Sequence, residues 1–447
     1  MDPIASLNPD PSDVFAPSGT PDTPARFARR FGFRFAFAYG LLASLPQPLS
    51  NVTQLEPLTN VYDRMWRALV PWVGRHVLGF SRDVAPSQSG TTDSAYDFVL
   101  LFCVVALSAV AALVWSLVDV RGERDAKLHG GLRIYLRYML AMNMLLYGMF
   151  KIMMVQFPTP AIEQLSRTYG DSSPHSLMWA FMGYSTAYNV FVGGAEVLSG
   201  LLLFFRRTTT LGAMLVAAIM ANVVVLNFCY YVGVKLFSAH LFSIALFLLA
   251  ADARRLIDVF VLGRPAAATP QRPPFHSRRF ERARLVLKVL YIGGSLVAAM
   301  SSALMIRKMR DSGSPARALA GPYVIESNAA SAEVRTPPSD LVRWRTIIVG
   351  QHGSLVVKRD DGNMVRWRFK VDPEAHTLTL RPGMRDALPG GAERIVLHYE
   401  RPDPAHLTIE GVLGEQRLAL TLAKTPDPEF ALTSYRFHWI QETTYND

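Results

Sequence analysis

Apolar residues are gathered into long runs over the first two thirds of this chain and into short alternations over the last third. The runs at 31–45, 96–118, 132–157, 188–205, 211–230, 234–250 and 285–306 approach or reach the length that crosses a hydrocarbon core, and they predict about seven spanning helices. The pattern at 61–80 is different. Met65, Trp66, Leu69, Trp72 and Val73 recur at helical spacing beside Arg64, Arg67 and Arg75, which is the signature of a helix lying in the membrane interface. Residues 1–25 mix Pro, Ser, Asp and Thr without apolar periodicity and read as a disordered tail. A transmembrane domain is therefore expected over 26–310, with a Pro- and Arg-rich linker at 264–284.

After Gly321 the period changes to two. Val365, Trp367, Phe369 and Val371 alternate with Arg366, Arg368 and Lys370, as a half-buried strand requires. The same alternation recurs at 394–400, 407–411 and 417–423, separated by turn formers such as Asp372 and Pro373 or Pro402, Asp403 and Pro404. About eight or nine short strands without intervening helices predict an all-β antiparallel barrel or sandwich over 316–447. Its aromatic side chains, Trp367 and Phe369, should point inward, with Arg366 and Arg368 outward.

Composition agrees with a membrane protein: of 447 residues 50% are hydrophobic and 18% are charged, against about a quarter charged in soluble domains. The net charge of +10 does not indicate nucleic acid, because the basic residues flank the apolar runs. With the N-terminus in the cytoplasm, about 20 basic residues fall inside and about 9 outside, a positive-inside bias. Arg64, Arg67 and Arg75 form the one dissenting segment. An odd number of spans then delivers the β domain to the periplasm of a bacterial inner-membrane protein and leaves the 264–284 linker in the cytoplasm. Cys103 and Cys229 each lie inside an apolar run, so neither a disulfide framework nor a zinc cluster can be built. His76, His129 and His175 lack ligand spacing, and no metal site is expected.

Charged groups inside spans mark the candidate chemistry, since each is costly without a partner or water. Lys151 shares a helix face with Asn143 and Tyr147, and the following span carries Glu196. Counted along the helices, Lys151 lies roughly 9 Å and Glu196 roughly 15 Å deep, and a Lys stem spans most of that offset. The two are candidate catalytic residues, and equally a mutually neutralising pair that fixes packing. Asn222, Asn227, Lys235 and His240 extend polar character through the same half of the bundle. With Tyr147, Lys151 and Glu196 they make up one candidate ligand cavity; interhelical hydrogen bonding is the commoner use of such Asn residues.

The segment YGMFKIMMVQF at 147–157, then FVGGAEVLSGLLLFFRRTTTLGA at 191–213, then NVVVLNF and VKLFSAHL, resembles bacterial membrane proteins of the DoxX-like superfamily, whose shared unit is a four-helix membrane bundle. The resemblance covers a core of about 132–255 and carries over to Lys151, Gln156, Gly193, Glu196, Arg206, Arg207, Asn222, Asn227 and Lys235. Larger members end in a β-rich segment with an FxWIxE ending, matched here by Phe437, Trp439, Ile440 and Glu442. Those relatives often read Asp-Val-Pro before the lysine, whereas this chain has Tyr231, Val232 and Gly233, so an acidic role there is absent. The resemblance implies an accessory or partner-binding subunit of an inner-membrane complex, with the lipid bilayer and a membrane or periplasmic protein as partners. The alternative is a quinone-linked oxidoreductase component, with quinone as the one cofactor left open. A lipid- or vitamin-dependent modifying enzyme is the third reading.

Overall fold

The computed structural model describes residues 24–45, 56–81, 84–87, 91–122, 124–265, 278–311, 315–328, 344–351, 353–359, 364–382, 395–413 and 416–434. Residues 1–23 of the expected 1–25 tail, residues 266–277 of the expected 264–284 linker and the FxWIxE ending at 437–442 lie outside them, whereas residues 24–25 and 278–284 are helical. Contacts divide the chain into a helical unit, residues 1–156 with 187–302, and a barrel unit, residues 157–186 with 303–447.

The helical unit contains α1 (Pro24–Ser44), α2 (Glu56–His76), α3 (Ala95–Val118), α4 (Asp125–Ile152), α7 (Thr186–Phe204), α8 (Thr209–Cys229), α9 (Lys235–Ala250), α10 (Ala253–Phe260) and most of α11 (Arg278–Asp311). Four of these, α3, α7, α8 and α11, are long and apolar enough to cross a membrane. A fifth span results if α9 and α10, bent by 77° at their break, count as one. The expectation of about seven spans thus exceeds the apolar-length criterion by two. The shortfall falls on α1 and α4, whose sequences include Arg34 and Arg137 with Lys151, charges that lower the mean hydropathy of any window containing them. Outward apolar side chains such as Leu113, Leu117, Phe191, Leu287 and Val297 are exposed, as helices surrounded by hydrocarbon require. α2 forms where its amphipathic period predicts. Trp66, Val70 and Val73 are buried, while Met65 and Trp72 are exposed on another face.

The barrel unit is a closed barrel of eight antiparallel strands in sequence order, β1 (Gly321–Asn328), β2 (Trp344–Val349), β3 (Ser354–Arg359), β4 (Met364–Asp372), β5 (Thr377–Pro382), β6 (Ile395–Glu400), β7 (His406–Leu413) and β8 (Gln416–Lys424). Pairing of β1 with β8 completes the ring, and closure removes the edges at which strands could pair with other chains. One residue in two faces inward. Tyr323, Ile347, Val357, Phe369, Leu380, Leu397, Leu407 and Leu422 are among those filling the interior, with Trp367 packed half-buried against it. Ala316 and Leu319, from the short 3-10 turn Pro315–Leu319, join the same core.

The alternation is not clean everywhere. Ile348 and Val356 stand opposite one another on the outer face of β2 and β3, and both are buried. Residues 157–186, with α5 (Ile162–Leu165) and α6 (Pro174–Tyr184), belong to this unit, and α5 lies against β2 and β3. Glu163 is buried there and accepts a hydrogen bond from Ser354 Oγ at 3.0 Å. The expected outward placement holds for Arg368, which is exposed, whereas Arg366, in register with Val356, is half-buried.

Candidate functional site

α4 and α7 come together through glycine. A Cβ on Gly148 would meet the Gly193 carbonyl oxygen at 2.6 Å, and one on Gly193 would meet the Gly148 oxygen at 2.6 Å and Lys151 Cβ at 3.0 Å. Only residues without a side chain permit this approach, the small-residue contact that lets membrane helices pack backbone to backbone. One turn beyond Gly193 on α7 is Glu196, and one turn beyond Gly148 on α4 is Lys151. Lys151 Nζ donates to both Glu196 oxygens at 2.8 Å, and the two side chains are 6% and 2% exposed. Lys151 also occupies the last turn of α4, where a cation complements the helix dipole. The Tyr147 ring lies 6.0 Å from its Nζ and packs against Phe237 of α9. Asn143, one turn earlier, is buried and donates to the Met139 carbonyl.

The other expected cavity residues are drawn into separate contacts. Asn222 is exposed, so it takes no part in a buried cluster. Asn227 donates to Ser238 Oγ at 3.0 Å, joining α8 to α9. His240 is hydrogen-bonded on both ring nitrogens, by Nδ1 to the Leu236 carbonyl at 2.8 Å and by Nε2 to the Tyr39 hydroxyl. A carbonyl only accepts, so Nδ1 carries the proton and Nε2 accepts from the phenol. The residues expected around one cavity thus enter separate contacts. Helical spacing gives the polar face but not which neighbour meets it.

Lys235 corrects the sequence reading. An acidic group does stand beside it, supplied from a distant segment. Asp93 accepts from the backbone N–H groups of Lys235 at 2.7 Å and Leu236 at 2.9 Å and pairs with Lys235 Nζ at 3.5 Å, capping α9 from outside the helix. Gly233 makes the docking feasible. Thr92 N–H and Thr91 Oγ donate to its carbonyl at 2.8 and 2.9 Å, and a Cβ there would lie 2.5 Å from Thr91 Oγ.

A further charged centre was not anticipated. Arg34 of α1 is fully buried. It donates through Nε and Nη2 to Asp125, through Nη1 to the carbonyls of Trp115 and Asp119 at 3.0 and 2.8 Å, and through Nη2 to the Asp119 carboxylate at 3.1 Å. The Gly122 backbone N–H, with Arg34 beside it, holds the Asp119 carboxyl below the usual carboxylate range. The guanidinium caps the C-terminus of α3, where the Trp115 carbonyl also accepts the Asp119 N–H at 2.9 Å, and ties it to the first residue of α4. A cavity of about 380 Å³ also opens between α1, α2, α3 and α9. Among the described residues, no three His, Cys, Asp or Glu side chains form a group that could hold a metal ion.

No family model matches the chain, and no solved structure matches it. A curated protein of Bacillus subtilis (strain 168), named Uncharacterized protein YwoB, is 36% identical over 126 residues, which make up 28% of this chain and 79% of that protein. With that identity over most of the smaller protein, the chain belongs to the same family as YwoB through this segment and carries much additional sequence outside it.

Proposed function

We propose that the protein is a DoxX-like accessory subunit of a bacterial inner-membrane complex, in which the bundle anchors and the barrel binds a protein partner. The observation that carries this reading is the buried Lys151–Glu196 ion pair between α4 and α7. Both carboxylate oxygens accept from the one ammonium group, so the two groups the sequence marks for chemistry satisfy each other and hold α4 on α7. The barrel supports the same reading, because its interior is filled by its own side chains and leaves the outer surface for recognition. Solubilising the full-length protein mildly from its native membrane and weighing what stays bound tests this. A protein partner in fixed ratio, with no bound chromophore, is expected. Stoichiometric quinone with a bleachable spectrum would instead establish the quinone-linked oxidoreductase component.

The proposed topology has seven spans, α1, α3, α4, α7, α8, α9 with α10, and α11, with the N-terminus cytoplasmic and the barrel periplasmic. Internal neutralisation supports counting α1 and α4, since Arg34 is matched by Asp125 and Asp119, and Lys151 by Glu196. A charge paired within the bundle no longer opposes insertion as a lone one does. Alkaline phosphatase fused after residue 447 is expected to be active and a fusion after residue 265 inactive. A dark phosphatase with a fluorescent cytoplasmic reporter at residue 447 would overturn the orientation.

A further inference from the structure

Neither the Lys151–Glu196 pair nor the Arg34–Asp125 pair lines the cavity between α1, α2, α3 and α9. On α3 its lining residues follow one helical stripe, Tyr96, Asp97, Leu100, Leu101 and Val104. Seven residues separate Asp97 from Val104, about 10 Å along the axis, so the wall passes from polar at the helix start to apolar within the span. Leu42 of α1 and Phe237 of α9 continue the apolar wall. His240 also lines it, but both of its nitrogens are already engaged, so it offers no hydrogen bond of its own.

The mouth carries charges of both signs. On α2, Tyr62, Asp63, Trp66 and Arg67 form the adjacent wall; Asp63 and Arg67 are exposed while Trp66 is buried. Arg67, Asp63 and Asp97 line the one cavity. Asp97 is held by the backbone N–H and hydroxyl of Ser94. Thr92 lines the same region. In the orientation proposed above, Arg67 belongs to the segment that runs against the positive-inside bias, so insertion does not account for it.

We infer that this cavity is a binding site for a zwitterionic, amine-bearing phospholipid. One acyl chain lies along Leu100, Leu101 and Val104, the phosphate meets Arg67, and the ammonium lies between Asp63 and Tyr62. Each element has its counterpart. A guanidinium fits phosphate, an ammonium is attracted by carboxylate and by aromatic faces, and the apolar wall fits hydrocarbon. The volume of about 380 Å³ lies in the range of small-molecule sites and suits one chain rather than a whole lipid.

The test is native mass spectrometry of the full-length protein in detergent, titrated with dioleoylphosphatidylethanolamine, with dioleoylphosphatidylglycerol and with phosphoethanolamine alone. The ethanolamine lipid is expected to be retained about tenfold more tightly than the glycerol lipid, a difference of one good charged contact. Arg67→Gln should weaken it by a similar factor, and Asp63→Asn should abolish the preference between the two lipids. Val104→Phe fills the apolar end and should block retention; Leu101→Trp replaces it as the filling variant if the first lowers the melting temperature. Equal retention of both lipids would overturn the proposal by pointing to a non-selective annulus. So would undiminished retention in a well-folded filling variant, or displacement of the lipid by phosphoethanolamine at equal concentration, which would mark a headgroup site without the chain.

Discussion

Lys151→Met is expected to destabilise the bundle by about 3 kcal/mol or more, the cost of leaving a buried charge without its partner. Glu196 is 1% exposed, so its carboxylate has almost no access to water once the ammonium is removed. Glu196→Gln should be harmful for the mirror reason, because it leaves the ammonium facing a neutral amide. The double variant Lys151→Met with Glu196→Gln should recover much of the combined loss, since no unmatched charge remains. Denaturant titration of the four proteins in mixed micelles gives the coupling as the departure from additivity. Strict additivity would mean that the two side chains do not depend on one another, and the argument from the buried ion pair would fall with it. If the pair only holds helices together, the double variant should also keep whatever partner the wild-type protein retains.

Lys151 and Glu196 could be paired from the sequence because each is conspicuous in an apolar run and a lysine stem spans most of the difference in their depths. Arg34 obeys the same physics but was hidden. It follows Arg26, Arg29 and Arg30 closely enough to pass for part of a basic flank, and its carboxylates lie 85 and 91 residues further on. Asp93 was hidden differently. It stands in a loop, where acidic residues need no explanation, and only the fold brings it to the N-terminus of α9. The strands of the barrel were legible because an alternation of two is a local signal. Closure was not, because it depends on Tyr323 finding Lys424 across a hundred residues, and no local pattern distinguishes that pairing from a sandwich. The burial of Ile348 and Val356 has the same origin, since the covering helix comes from residues 162–165, outside the β region altogether.

Arg34→Met is expected to be the most damaging single substitution in the first half of the bundle, with a loss of about 3–5 kcal/mol. The wild-type guanidinium serves four acceptor groups at once: the carboxylates of Asp119 and Asp125 and the carbonyls of Trp115 and Asp119. Removing it leaves Asp125, which is fully buried, as an uncompensated carboxylate, and it takes a donor from the Asp119 carbonyl at the end of α3, while the Trp115 carbonyl keeps the Asp119 N–H at 2.9 Å. Asp119 is partly exposed, with its side chain 33% accessible, and keeps its Gly122 N–H at 3.0 Å, so Asp119→Asn should cost far less than Asp125→Asn. Arg34→Lys should rescue only part of the loss, because an ammonium has three donors around a point whereas the planar fork reaches α3 and α4 together. The order expected in the same micelle titration is Arg34→Met, then Asp125→Asn, then Arg34→Lys, with Asp119→Asn nearest to wild type. A lysine variant as stable as wild type would show that only the charge at this position matters, and the forked tie between α1, α3 and α4 would be wrong.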